Sequence, residues 1–256
     1  PVETIAYAYD PAGQRIQKAL GGQSLRETPF SATYDEANRL ASITLNGEAF
    51  TLCYDENGNL ASKSGPTSGT TTYAWSARNQ LAQIAAPGGS ATFKYDALGR
   101  RIEKTVNGST TGFLYDGAQA IAELRGGSID TLFHTAIQID EVLARYGSSG
   151  IRTLLTDAVM SVIAQTKDDH LIQNFYAYSP YGETTTLGPD EGNSIQYTGR
   201  ENDQTGLYYY RARYYSSSLG RFLQVDAIGY QEQMNLYAYV GNDPINIHRL
   251  GSFVLD

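Results

Sequence analysis

The feature that most constrains this chain is a Tyr-Asp pair that returns about every twenty residues. It stands at Tyr9-Asp10, Tyr34-Asp35, Tyr54-Asp55, Tyr95-Asp96 and Tyr115-Asp116, and Tyr73-Ala74-Trp75 is a diverged copy in the gap. Successive tyrosines lie 25, 20, 19, 22 and 20 residues apart. Four positions after the tyrosine a turn former usually follows, as Gly13, Asn38, Gly58 and Gly99 do. A period this short holds one supersecondary unit, and units that cannot bury their own apolar face must stack on one another.

The physics of one unit can be read from its residues. A strand ends in Tyr, Asp starts a turn through its side-chain acceptor, and Gly or Asn supplies the residue with positive φ. The next strand leaves with alternating character, as in Leu40-Ala41-Ser42-Ile43-Thr44-Leu45, and a second turn, often Asn-Gly (Asn46-Gly47, Asn107-Gly108), closes the next hairpin. One such hairpin is marginal alone, whereas stacked hairpins form a continuous sheet. The 20 tyrosines, against 8 Phe and 1 Trp, suit this plan. Tyrosine favours strands, and it buries its ring while its hydroxyl keeps a polar partner.

From Thr131 to Gln165 the spacing is lost. The run Ile137 to Tyr146 is open to helix or strand; its β-branched residues and the flanking Gly147-Ser148-Ser149-Gly150 favour strand. Lys167-Asp168-Asp169-His170 has the look of a hairpin tip. The single cysteine, Cys53, excludes an internal disulfide and is expected to be a small buried hydrophobe. A net charge of −8 without a basic stripe argues against a nucleic-acid partner. No apolar run approaches the ~18 residues of a membrane-spanning helix. His134, His170 and His248 are scattered, with no metal-ligand spacing, and no cofactor motif is present. The chain shows no signal peptide and opens directly into a repeat, so it is expected to be a fragment or processed piece of something longer.

The stretch from Tyr176 to Gly251 carries a more specific pattern. Tyr197-Thr198-Gly199-Arg200-Glu201-Asn202-Asp203 leads to Thr205-Gly206-Leu207-Tyr208-Tyr209-Tyr210-Arg211-Ala212-Arg213-Tyr214-Tyr215. Leu219-Gly220-Arg221-Phe222-Leu223-Gln224-Val225-Asp226 and Asn235-Leu236-Tyr237-Ala238-Tyr239-Val240-Gly241-Asn242-Asp243-Pro244 follow. With the repeats before it, this resembles the RHS/YD-repeat proteins with an RHS repeat-associated core: bacterial polymorphic toxins, the C components of insecticidal toxin complexes and, more distantly, teneurins. The resemblance implies an all-β fold in which YD hairpins form a curved, spiralling sheet, part of a shell, with a β-rich core plug. It places the repeat sheet in residues 1–130, the core in 131–251 and a short tail in 252–256. The implied partners are the remaining shell segments, a C-terminal toxin domain and a secretion or toxin-complex component. The implied location is outside the producing cell, by secretion or delivery.

Members of the family commonly cut their own chain after the core with a pair of aspartates. Two close carboxylates share a proton, so one can activate water while the other donates. By motif position the first aspartate is Asp226, and Arg213 matches an arginine near the pair. The second lies in a DPxGL block, but here Ile247-His248-Arg249-Leu250-Gly251 stands there, with His248 in place of the acid. Ala227 and Ser252 are further departures, and the centre is expected to be degenerate. Asp203 and Asp243 sit in turn contexts and are expected to cap turns. Arg200, Arg211, Arg213 and Arg221 are expected to pair with Glu201, Asp203 and Asp226. In the Tyr208-Tyr209-Tyr210 run, strand alternation predicts one or two core rings and the remainder on the other face. Three functions follow: a structural shell segment, an aspartic-type autoprotease releasing a toxin, or a cell-surface module binding glycan or protein.

Overall fold

A computed structural model describes residues 4–21, 30–137, 140–189, 191–226, 229 and 235–244. These form two compact units, one running to Ser90 and resuming at Leu219, the other spanning Ala91–Ser218. The fold is all-β, as the repeat requires. In the first unit, β1 (Thr4–Tyr9), β2 (Arg15–Gly21), β3 (Phe30–Tyr34), β4 (Leu40–Leu45), β5 (Glu48–Tyr54), β6 (Leu60–Gly65), β7 (Gly69–Trp75) and β8 (Leu81–Ala86) form an antiparallel meander.

The second unit continues the plan with β9 (Gly89–Tyr95), β10 (Arg101–Val106), β11 (Ser109–Asp116), β12 (Gln119–Arg125) and β13 (Ser128–Thr135). It goes on through β14 (Val142–Gly147), β15 (Gly150–Thr156), β16 (Val162–Thr166), β17 (Ile172–Tyr178) and β18 (Thr184–Leu187). Three short strands, β19 (Glu201–Asn202), β20 (Leu207–Tyr210) and β21 (Arg213–Ser216), make a separate small sheet in this unit.

The repeat turn is built as its sequence dictates. The Asp35 carboxylate accepts from the N–H groups of Ala37 (3.0 Å) and Arg39 (2.9 Å), and Asp96 does the same for Leu98 (3.0 Å) and Arg100 (2.9 Å). Asn38 and Gly99 take the left-handed conformation, with φ of 62° and 83°. The tyrosine then ties its unit to the one before: Tyr34 Oη donates to the Arg15 carbonyl (2.8 Å) and Tyr115 Oη to that of Arg101 (2.8 Å). In the diverged copy Trp75 keeps this bond, its indole N–H donating to the Leu60 carbonyl at 2.8 Å. Burial raises the phenols of Tyr34, Tyr54, Tyr95 and Tyr115 above their ordinary value; Tyr95, and Tyr73 two residues before Trp75, are pushed up to about 12, chiefly by desolvation.

The same turn recurs where the Tyr-Asp spelling is lost. Asp157 accepts from Val159 (3.0 Å) and Ser161 (2.8 Å) while Met160 takes φ 65°, and Tyr178 Oη donates to the Val162 carbonyl (2.6 Å). Lys167–His170 is a hairpin tip, with His170 at φ 66°.

Three expectations are corrected. The strand expected from Ile137 begins only at Val142, because Asp140 takes φ 73° in the turn before it; Gln138 and Ile139 lie outside the described residues. Cys53 is exposed. Alternation along β5 turns Phe50 and Leu52 inward and Cys53 outward, opposite Ser62. Tyr208, Tyr209 and Tyr210 are all buried, because both faces of β20 are covered.

Candidate functional site

In each unit a buried cation held among aromatic rings joins the core block to the repeats. In the first unit, Arg221 of the short strand Arg221–Phe222 lies between Tyr34 (4.9 Å to the ring centre) and Tyr237 (5.0 Å). Its guanidinium donates to the Asn38 carbonyl at 2.7 Å. Tyr237 Oη donates to the Gly58 carbonyl (2.6 Å), so two repeat turns are fastened by the same pair. Arg15 stacks 4.5 Å from the Phe30 ring centre and donates to the Leu219 carbonyl (3.0 Å). Gly220 has φ 65°, and a Cβ there would fall on the Arg15 guanidinium, so the Gly-Arg-Phe motif requires its glycine.

In the second unit the centre is Arg101, a repeat residue with no exposed side-chain surface. Its guanidinium pairs with both Asp203 and Glu201 and donates to Tyr214 Oη (3.1 Å). It also lies 4.0 Å from the Tyr209 ring centre and 5.0 Å from that of Phe113. Lys104 adds a second cation, 2.9 Å from Asp203. Burial alone would raise Asp203, but Arg101 and Lys104 outweigh it and hold the carboxyl below its ordinary value. For Glu201 burial wins, and its value is raised despite the same two cations.

A third cluster gathers on Asp140, whose carboxylate pairs with Arg200 (2.8 Å) and with Arg211. Arg200 lies 4.8 Å from the Tyr210 ring centre. Gly199, at φ 70°, lets the Asp140 carbonyl approach within 2.5 Å of where a Cβ would stand.

These contacts revise the expected pairings. Arg200 and Arg211 bind Asp140 rather than Glu201 or Asp203, and Arg221 bonds a carbonyl. Glu201 and Asp203 serve repeat residues one hundred positions earlier. Asp203 is therefore an interior ion-pair acceptor, while Asn202 accepts from the Gln204 N–H (2.9 Å) at the turn. The signals available for Arg101 and Asp140 were slight: a second arginine after Gly99, and an acid in an apolar run.

Asp226 is buried in the first unit; its N–H donates to the Leu236 carbonyl (3.0 Å), and its own carbonyl accepts from Gly229 (3.0 Å). Arg213 is buried on β21 in the second unit, opposite Tyr210. His248 lies outside the described residues. Among the described residues no three of His, Cys, Asp or Glu are grouped to hold a metal ion. A cavity of about 340 Å³ opens beside Lys104 and Asp203. Ser109, Thr111, Glu123 and Ser194 wall it, and no aromatic ring lines it. Among the described residues no helix is long and apolar enough to cross a membrane.

Tandem hairpins with repeat-turn carboxylates, locked by a tyrosine- and arginine-rich core block, define a YD-repeat β protein. The chain belongs to the Teneurin YD-shell family, whose model matches residues 2–245. It is 37% identical over 84 residues to Toxin subunit YenC2 of Yersinia entomophaga, covering 31% of this chain and 9% of that protein. It is 32% identical over 267 residues to the tRNA3(Ser)-specific nuclease WapA of Bacillus spizizenii, covering 94% of this chain and 10% of that protein. The crystal structure of TcdB2-TccC3-Cdc42 superposes with a TM-score of 0.58 at 21% identity, covering 97% of this chain and 17% of that one. The chain thus spans only a small part of the length of these relatives, and it is a structural shell segment.

Proposed function

We propose that this segment belongs to the shell of a toxin-carrying protein, where it helps to enclose or present a C-terminal effector. One observation carries the reading: buried ionisable groups of the core block hold repeat residues far away in sequence. Glu201 and Asp203 bind Arg101 and Lys104, and Arg221 bonds the Asn38 carbonyl. The named relatives support the setting, since YenC2 is a toxin subunit. In this reading the repeat sheet corresponds to residues 1–130 and the core to 131–251. The partners are the remaining shell segments, the effector and other components of a toxin complex or secretion system. Asp226 and Arg213 are remnants of a self-cleavage centre, and the protein acts outside the cell that makes it.

The test is intact mass after expressing the chain with a small reporter domain fused behind Asp256. A fusion that stays whole through long incubation at several pH values supports the structural role. Clean loss of the reporter that disappears with Asp226→Asn refutes the remnant status of that centre and establishes autoproteolysis.

A further inference from the structure

The two units differ on the sheet face turned away from their buried side chains. Residues directly opposite on neighbouring antiparallel strands share a face. In the first unit the outward row reads Thr33, Ser42, Thr51, Ser64 and Thr70 across β3 to β7, hydroxyl beside hydroxyl. In the second unit the equivalent row reads Leu114, Ala122, Leu132, Tyr146 and Ile151 across β11 to β15. On β15, Ile151, Thr153 and Leu155 alternate with the buried Arg152 and Leu154. Leu155 then opens a second row, Ala164, Phe175 and Leu187, across β16 to β18.

The seven large side chains of these rows are 40–50% exposed: Leu114, Leu132, Tyr146, Ile151, Leu155, Phe175 and Leu187. Together they present roughly 600 Å² of apolar surface, at the upper end of the patches found on monomers, typically some hundreds of Å². A stable interface takes about 800 Å² from each partner, so these rows supply most of one.

We propose that this face is a homotypic interface, on which a second copy of the chain lays its own β11–β18 face, sheet against sheet. An apolar face presented by both copies is self-complementary about a two-fold axis, and facing sheets interdigitate at about 10 Å. Charge does not oppose this occupant at the rows themselves. The chain carries −8, so two copies repel over most of their surface, whereas neither row holds a charged residue. Polar groups stand beside the rows, where His134 and Thr153 are exposed and Asp168 accepts from the Ile151 N–H (2.7 Å).

The experiment is light scattering behind size-exclusion chromatography of the 256-residue chain over a concentration series. Mass should double with concentration. Leu132→Glu with Phe175→Glu should hold it at the monomer mass with an unchanged circular dichroism spectrum, while Thr51→Glu on the hydroxyl row should leave the dimer intact. A monomer at every concentration, including one that binds other shell chains instead, overturns the proposal. So does a dimer that survives the double substitution. If that variant fails to fold, Leu132→Cys in a Cys53→Ser background gives the answer through maleimide labelling. Several-fold slower labelling at high concentration supports the interface, and an unchanged rate rejects it.

Discussion

Replacing Arg101 with Met tests whether the core block holds the repeats by charge. Methionine keeps the unbranched stem among Phe113 and Tyr209 but removes the guanidinium. Asp203, with no exposed side-chain surface, would keep only Lys104, and Glu201 would lose its bonded cation. Removing one partner of a buried ion pair costs about 3–5 kcal/mol, because the other charge stays buried. With a urea slope of about 3 kcal/mol/M, the unfolding midpoint at neutral pH should fall by about 1–1.7 M, read by far-ultraviolet circular dichroism. The pH dependence supplies a second check. In the native protein Asp203 is held below its unfolded value, so its contribution is present above about pH 4 and is lost as pH falls through the folded value. Without Arg101, burial of Asp203 is opposed by Lys104 alone and its folded value rises, so the variant is penalised increasingly as pH climbs. The two proteins should therefore converge in acid and diverge toward neutrality. A loss under about 1 kcal/mol, or one of equal size at every pH, would refute the reasoning, since an effect of lost packing alone would not titrate.

Glu201 is held above its unfolded value, so it stabilises the fold at low pH and that contribution is lost as pH rises through the folded value; Glu201→Gln should match or exceed native stability at neutral pH in the same urea assay. Trp75→Phe removes the indole donor to the Leu60 carbonyl and should cost about 1 kcal/mol, whereas Trp75→Tyr, which restores the repeat's own residue, should cost less; thermal melts compare the two. Gly220→Ala combines a left-handed backbone with a collision against the Arg15 guanidinium and should cost about 1–3 kcal/mol, seen as a lower melting temperature, while Gly13→Ala, with φ 74° and open space around it, should cost less.

The repeat turns were legible because their chemistry is local. An aspartate that caps its own turn and a Gly or Asn that tolerates positive φ act within five residues, so their spacing marks the hairpins without reference to any tertiary contact. Where the spelling drifts, geometry carries the turn without the letters: Met160 and His170 occupy left-handed positions that Gly or Asn would advertise. The exposure of Cys53 followed from strand alternation, though not from cysteine's usual preference for the interior.

The sequence by itself determined the fold class and the hairpin period, because both rest on contacts between near neighbours, and it spelled the motif that marks the family. The tertiary structure alone decided which cation meets which acid. Arg101 joins Glu201 and Asp203, while Arg200 and Arg211 converge on Asp140, across separations of tens to about a hundred residues. Burial removes these charges from water, so each must find a partner, but it does not select one from the sequence. It likewise decided that all three rings of Tyr208–Tyr210 are interior, since a strand's alternation says which side a residue faces and nothing of what covers that side.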